Sequence, residues 1–291
     1  MLLGNFGSRG TEGQFGAVQD ALRAKGVRIA ECRAARRGRD LSRLLRDAVR
    51  DGAKIVAVAG GDGSMSRAAE ALANRRCTLA VLPLGTGNSF ARSLGIDNVE
   101  TAVETIARGR RRKVDLGIVN GRHFANFATI GLPSDVAANT PEPLKRISGV
   151  AAYVAFGIVS GLRSRRFRVK IRGKRVRFDG DVHQVIVAAG RCFGTHPIVP
   201  EASVVSGRLV VVTTTADGAG GIAKDFFAIL SGKTEQLDDA HWWSTKRVRI
   251  QTSSKQRLAI DGRPIDTTPA EFRIDPGALR VFVPPDFDGL P

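Results

Sequence analysis

Up to about Asp115 the apolar residues fall into two alternating patterns. Lys54 to Ala59 and Thr78 to Leu82 are short continuous apolar runs, the signature of strands buried on both faces. Gln14 to Ala24, Leu41 to Arg50 and Ser64 to Arg75 instead repeat their apolar residues every three or four positions, as one face of a helix does. Met1-Leu2-Leu3-Gly4-Asn5 reads as the end of a first strand. The alternation predicts a parallel sheet covered by helices.

After Asp115 the texture changes to short strands punctuated by Gly, Asn and Asp. Strands are expected at Ile118-Val119, His123 to Ile130, Phe167 to Ile171, Gln184 to Ala189, Arg208 to Thr214, Arg247 to Thr252 and Gln256 to Ile260. One helical segment interrupts them, from about Leu144 to Leu162. This half reads as an antiparallel sandwich. The predicted fold class is therefore α/β plus β, in two domains that meet near residue 115.

Charge alters the picture. Lys and Arg number 45 against 28 Asp and Glu, so the chain carries +17 and is drawn to a polyanion, either nucleic acid or an anionic membrane surface. Arg168, Lys170, Arg172 and Lys174 alternate with Phe167, Val169, Ile171 and Gly173, which predicts a strand with one basic and one apolar face. One Tyr and two Trp offer little for base stacking, which leaves a basic nucleic-acid-binding protein as an alternative reading rather than the first. The longest nearly uncharged stretch, Gly149 to Leu162, has fourteen residues and three glycines, short of the about 20 apolar residues that span a bilayer. Three scattered cysteines match no metal spacing and no disulfide framework, and the first residues lack a signal-peptide pattern. A cytoplasmic location, peripheral to the inner membrane face, is expected.

Candidate chemistry begins where the strand ending at Ala59 runs into Gly60-Gly61-Asp62-Gly63-Ser64 and then into a helix. Glycines let the backbone approach a ligand, and a helix N-terminus presents amide N–H groups to phosphate. A carboxylate inside such a turn would repel phosphate unless it held a metal, oriented a group or took a proton, so Asp62 implies chemistry. A second turn, Pro83-Leu84-Gly85-Thr86-Gly87-Asn88-Ser89-Phe90-Ala91-Arg92, follows the next strand. Two glycine turns at neighbouring strand ends converge on one sheet edge, and the pair points to a nucleotide.

These two segments resemble the GGDGT and PxGTxNDFAR signatures of the diacylglycerol kinase catalytic domain family, which includes sphingosine, ceramide and bacterial lipid kinases. The resemblance continues through Asn5-Phe6-Gly7-Ser8, Val114-Asp115-Leu116-Gly117, Asn126 to Val136, Ala188 to Leu209, and Ile260-Asp261-Gly262. It implies an ATP-binding domain over 1–115, with 275–291 returning to it, and a lipid-binding domain over 116–274. It also implies that Asn5, Ser8, Gly60, Gly61, Gly63, Ser64, Gly85, Thr86 and Asn88 bind the nucleotide, that Asp62 and Asp261 are catalytic, and that ATP and Mg²⁺ are the cofactors. The substrate it implies is a lipid hydroxyl, as in diacylglycerol or ceramide, met at an anionic membrane surface. A homodimer is compatible with it.

The sequence departs from the family pattern at three positions. Arg263 stands where DGE has Glu, Ser89 replaces the Asp of GTxND, and Phe6 replaces the Pro of the first loop. The first two remove acidic groups, so the metal ligands are unassigned. An NAD kinase shares the GGDG turn and the two-domain plan, but Pro83 to Arg92 fits the lipid kinases better. The other alternative is the basic nucleic-acid-binding protein, without kinase activity.

Overall fold

The computed structural model describes residues 1–5, 11–131, 166–193, 196–215, 220–221, 224–225, 228, 237 and 240–289. Ser8 and the helix expected over Leu144 to Leu162 lie outside them. The chain divides into two compact units. The first is Met1–Leu116 with Val204–Ser206 and Pro276–Leu290, and the second is Gly117–Ser203 with Gly207–Asp275.

The first unit opens β1 (Leu2–Asn5), α1 (Thr11–Ala24), β2 (Cys32–Ala35), α2 (Gly38–Arg50), β3 (Ile55–Gly60), α3 (Asp62–Leu72) and β4 (Thr78–Pro83). Two further helices follow, α4 (Ser89–Ser93) and α5 (Val99–Arg108). The strands are parallel in the order β2-β1-β3-β4, and Arg280 and Val281 of the last strand, β18 (Ala270–Val283), pair with Thr78 and Leu79. Helix α2 buries Leu41, Leu45 and Ala48, spaced at four and three residues, while α3 buries Met65, Ala68, Ala69 and Leu72. Both choices follow the period of 3.6. Strand β2 escaped the sequence reading because Ala35 alone of its four residues is buried, which leaves no apolar run to detect.

The chain leaves β1 for β2 on one side, and β3 lies on the other. The topological switch of the sheet thus falls between the carboxyl ends of β1 and β3, where open α/β sheets bind ligands.

In the second unit two antiparallel sheets face each other. One joins the start of β18 to β15 (Arg247–Thr252), β8 (Phe167–Gly173) and β9 (Val176–Val182). The other runs β14 (Ala240–Thr245), β13 (Leu209–Thr214), β10 (Gln184–Ala188), β7 (Phe127–Gly131), β16 (Arg257–Ile260) and β17 (Arg263–Thr267). Phe167, Val169, Ile171, Val248, Ile250 and Phe272 from the first meet Ile130, Val185, Val187, Val211, Leu258 and Ile260 from the second in one core. Alternate positions supply these residues, as a pleated strand requires.

The fold expected from the sequence is present: a parallel α/β unit and an antiparallel sandwich. Strand limits differ in places. The single strand expected over His123 to Ile130 is two, β6 (Arg122–Phe124) and β7, with Ala125 and Asn126 between them. Their amides are taken by the Asp261 carboxylate, from the turn between β16 and β17. Strand β5 (Arg110–Val119) starts well before Ile118, and an Asn120-Gly121 turn with positive φ at both residues (47° and 83°) joins it to β6. Strands β9, β14 and β17 were unforeseen because polar residues break their apolar pattern. No helix among the described residues is long and apolar enough to cross a membrane.

Candidate functional site

Parallel register sets the first part of the site. Gly4 lies opposite Ala59, and Gly60 opposite Pro83, so Asn5, Gly60 and Pro83 close three adjacent strands on the same edge. Gly60-Gly61 turns directly into α3, with Gly61 as its N-cap in extended conformation and Asp62 as its first residue. The carbonyl of Gly61 accepts from the amides of Ser64 and Met65 at 2.9 and 3.1 Å. The earliest amides of such a helix have no carbonyl one turn behind them and face an incoming anion.

The two glycine turns touch backbone to backbone. A Cβ on Gly85 would stand 2.4 Å from the Cα of Gly61, and one on Gly61 would stand 3.0 Å from the Cα of Gly85. At Gly60 a Cβ would meet the Oγ of Ser64 at 2.5 Å. Glycine is thus required at 60 and 85 by close approach. Asp62 fastens the turns to each other, its Oδ1 accepting the Ser89 amide at 2.6 Å, at the start of α4.

Within the second turn Asn88 adopts φ 55° and closes the loop on Gly85, its Oδ1 accepting the Gly85 amide at 3.0 Å and its Nδ2 donating to the Gly85 carbonyl at 2.7 Å. Asn5 donates from Nδ2 to the buried Ser64 Oγ at 2.8 Å, which ties the end of β1 to the first turn of α3. Asn5, Ser64 and Asn88 therefore shape the cradle, while Gly63 and Thr86 are exposed on it.

A second cluster lies in the other unit. Asp261-Gly262, with φ of 45° and 74°, is the two-residue turn between β16 and β17. Asp-Gly is a favoured pair for that geometry. The Asp261 carboxylate accepts three backbone amides: Ala125 at 3.0 Å on Oδ2, and Asn126 and Phe127 at 2.8 and 3.1 Å on Oδ1. Its own amide donates to the Phe127 carbonyl at 2.8 Å. The Asn126 carbonyl accepts from Ala189 and Gly190 at 2.8 and 3.1 Å. Three segments singled out in the sequence, around Asn126, Ala189 and Asp261, thereby meet on one edge of the six-stranded sheet. Arg263 pairs across the hairpin with Ile260.

Asp115 carries a structural load that the sequence did not assign. It is buried, its Oδ1 accepts the Gly277 amide at 2.8 Å, and its own amide donates to Val204 at 2.6 Å. The Val114 to Gly117 motif was visible, but its partners lie about 90 and 160 positions away, beyond any local signal. Among the described residues no group of three or more His, Cys, Asp or Glu side chains could hold a metal ion. Ser89, in the place of a family Asp, uses its amide on Asp62 and accepts the Ser93 hydroxyl on its carbonyl. At Gly60 and Gly85 the close approach leaves no room for a Cβ between the turns and their own neighbours.

Two glycine turns thus meet at the switch point of a parallel α/β unit, and an antiparallel sandwich follows in the same chain. Residues 4–119 match the family model of the diacylglycerol kinase catalytic domain. Residues 129–283 match the YegS C-terminal NAD kinase beta sandwich-like domain. A protein of Pseudomonas aeruginosa (strain UCBPP-PA14), named "Probable lipid kinase YegS-like", is 32% identical over 250 residues, 84% of this chain and 82% of that protein. One of the same name from Cronobacter sakazakii (strain ATCC BAA-894) is 31% identical over 257 residues, 85% of this chain and 84% of that protein.

Among solved structures, a diacylglycerol kinase from Bacillus anthracis str. Sterne superposes with TM-score 0.75 at 21% identity, covering 98% of this chain and 97% of that one. A second structure from that organism gives TM-score 0.81 at 23% identity, covering 98% and 95%. The chain belongs to the diacylglycerol kinase catalytic domain family and is a kinase.

Proposed function

We propose that this enzyme transfers the γ-phosphoryl group of ATP to a hydroxyl of a membrane lipid such as diacylglycerol or ceramide, working at the inner membrane face. The observation that carries the reading is the contact between the two glycine turns, fastened by Asp62 on the Ser89 amide. That contact makes a surface of backbone donors at the sheet edge where a triphosphate can lie.

In the reaction the lipid oxygen attacks the γ-phosphorus, the bond to the β-phosphate oxygen breaks, and the hydroxyl proton leaves to an acceptor. Mg²⁺, when bound, offsets the negative charge that builds on the γ-phosphate. Gly60, Gly61, Gly63, Gly85 and Thr86 contact the phosphates, while Asn5, Ser64 and Asn88 hold the cradle in shape; Ser8 is assigned to the nucleotide by the family pattern alone. Asp62 orients the hydroxyl or takes its proton.

Asp261 has its two oxygens committed to three amides, and this supports a positioning role: it holds the 125–127 segment. The reading in which Asp261 itself takes the proton would need those bonds to give way.

Incubation with labelled ATP and a panel of diacylglycerol, ceramide and sphingosine, resolved by thin-layer chromatography, tests the assignment. A labelled phospholipid that disappears in Asp62→Asn supports it. A second reading, an NAD kinase-like enzyme, draws on the likeness of the second unit to an NAD kinase beta sandwich. Phosphorylation of NAD with no labelled lipid would establish that alternative.

A further inference from the structure

The outward face of β18, β15, β8 and β9 is rich in arginine, and its register is unusual. Arg249 lies opposite Arg172, and Arg172 opposite Arg177, which sets three guanidinium groups in one row across three neighbouring strands. A second row places Arg247 opposite Arg273. Like charges directly opposite on adjacent strands destabilise a sheet. All five of these residues are exposed, while the alternate positions Val248, Ile250 and Ile171 are buried.

The acids on the same face neutralise only part of this charge. Asp179 is shared by Arg168 at 2.9 Å and Arg172 at 3.7 Å, and Glu271 pairs with Arg247. No acidic side chain among the described residues stands within ion-pair distance of Lys170, Arg177, Arg249 or Arg273. Strands β8, β9 and β15 with residues 270–275 of β18 present seven basic and four acidic side chains outward, a net of +3, and the turn residues Lys174 and Arg175 add to it.

We propose that this sheet face is the surface by which the enzyme docks on a bilayer containing anionic phospholipid. The inference rests on the lipid-kinase reading for its choice of partner. Strands about 4.8 Å apart hold their outward side chains in a broad sheet, which suits a plane of headgroups. Each guanidinium can engage a phosphodiester with two parallel N–H donors. Duplex DNA is a poorer match, because reading it takes an element that enters a groove. No exposed position on the four strands is aromatic, so stacking on single-stranded bases is also missing.

Sedimentation of the full chain with phosphatidylcholine vesicles, with and without phosphatidylglycerol, tests the proposal. Binding should rise with phosphatidylglycerol and fall with salt, since charges beyond about 8 Å are screened at physiological ionic strength. The double variant Arg177→Gln with Arg249→Gln should bind about 25-fold more weakly, at about fivefold for each base removed near an anionic leaflet. Its thermal midpoint should stay level or rise, because opposite-strand repulsion is relieved. Arg249→Lys should keep most of the binding.

Vesicle binding indifferent to phosphatidylglycerol, or unchanged in the double variant, would overturn the docking face. So would binding of duplex DNA, at equal salt, tighter than binding of the anionic vesicles. Turnover of lipid in uncharged detergent micelles separates this inference from the functional reading. The double variant should match wild type there; charge-dependent vesicle binding with no micellar turnover in either protein would support the face and remove the lipid-kinase assignment.

Discussion

Replacing Asp261 with Asn separates its two candidate roles. Asparagine tolerates the left-handed φ of 45° at this turn, so the backbone is spared. The side-chain change is confined to one oxygen. An amide oriented to keep Oδ1 still accepts from Asn126 and Phe127, but turns its NH₂ toward the Ala125 amide, donor against donor. Ala125 is fully buried, and a buried donor left without its acceptor costs about 1–3 kcal/mol. For a unit of this size each kcal/mol moves the thermal midpoint by about 2–4 °C, so the midpoint should fall by ~2–12 °C.

Asp261→Ala should lose more. It abandons all three amides and places a Cβ residue without a polar side chain in the left-handed region, a further cost of about 1 kcal/mol. Thermal denaturation followed in parallel with lipid phosphorylation reads both effects. A positioning residue gives a graded series, in which activity declines together with the midpoint and Asp261→Asn lies between wild type and Asp261→Ala. If Asp261→Asn left the midpoint unchanged and removed about 10²-fold or more of turnover, the side chain would be a proton acceptor and the positioning argument would be refuted.

Three other outcomes are expected. Asp62→Asn should lose at least ~10²-fold in turnover with little change in thermal midpoint, because its amide oxygen can still accept from Ser89; full activity in a folded variant would remove Asp62 from the chemistry. Gly85→Ala should weaken ATP binding and cost about 1–3 kcal/mol, since its Cβ would meet the Gly61 backbone, whereas a Cβ at Gly63 has nothing within 4 Å and should leave stability unchanged; equal effects in calorimetry with a nucleotide analogue would contradict the cradle geometry. Cys32 is exposed while Cys77 is buried and its thiol is pushed up by that burial, so alkylation of the native protein should mark Cys32 first; mass spectrometry showing Cys77 modified as fast would contradict the packing beneath β4.

The residues of the cradle were legible because each motif is local. A buried apolar run, a glycine turn and a helical period follow one another within about 15 positions, and the backbone chemistry of glycine dictates what such a run can form. The basic and apolar alternation of β8 was legible for the same reason, since a strand period is written in successive residues. The sequence by itself also determined the parallel first unit and the antiparallel second, because the spacing of apolar positions distinguishes strands separated by helices from strands separated by turns.

What it could not determine was pairing. That Arg249 faces Arg172, that Asp261 serves three amides more than 130 positions away, and that Gly61 and Gly85 touch are facts of register and close approach. Polar residues break the apolar pattern of β14 and β17, and it is pairing with β13 and β16 that holds them as strands. Tertiary structure alone decided which donors each carboxylate would meet, since a carboxylate's partners are chosen by distance in space, and the chain closes those distances only when both sheets have packed.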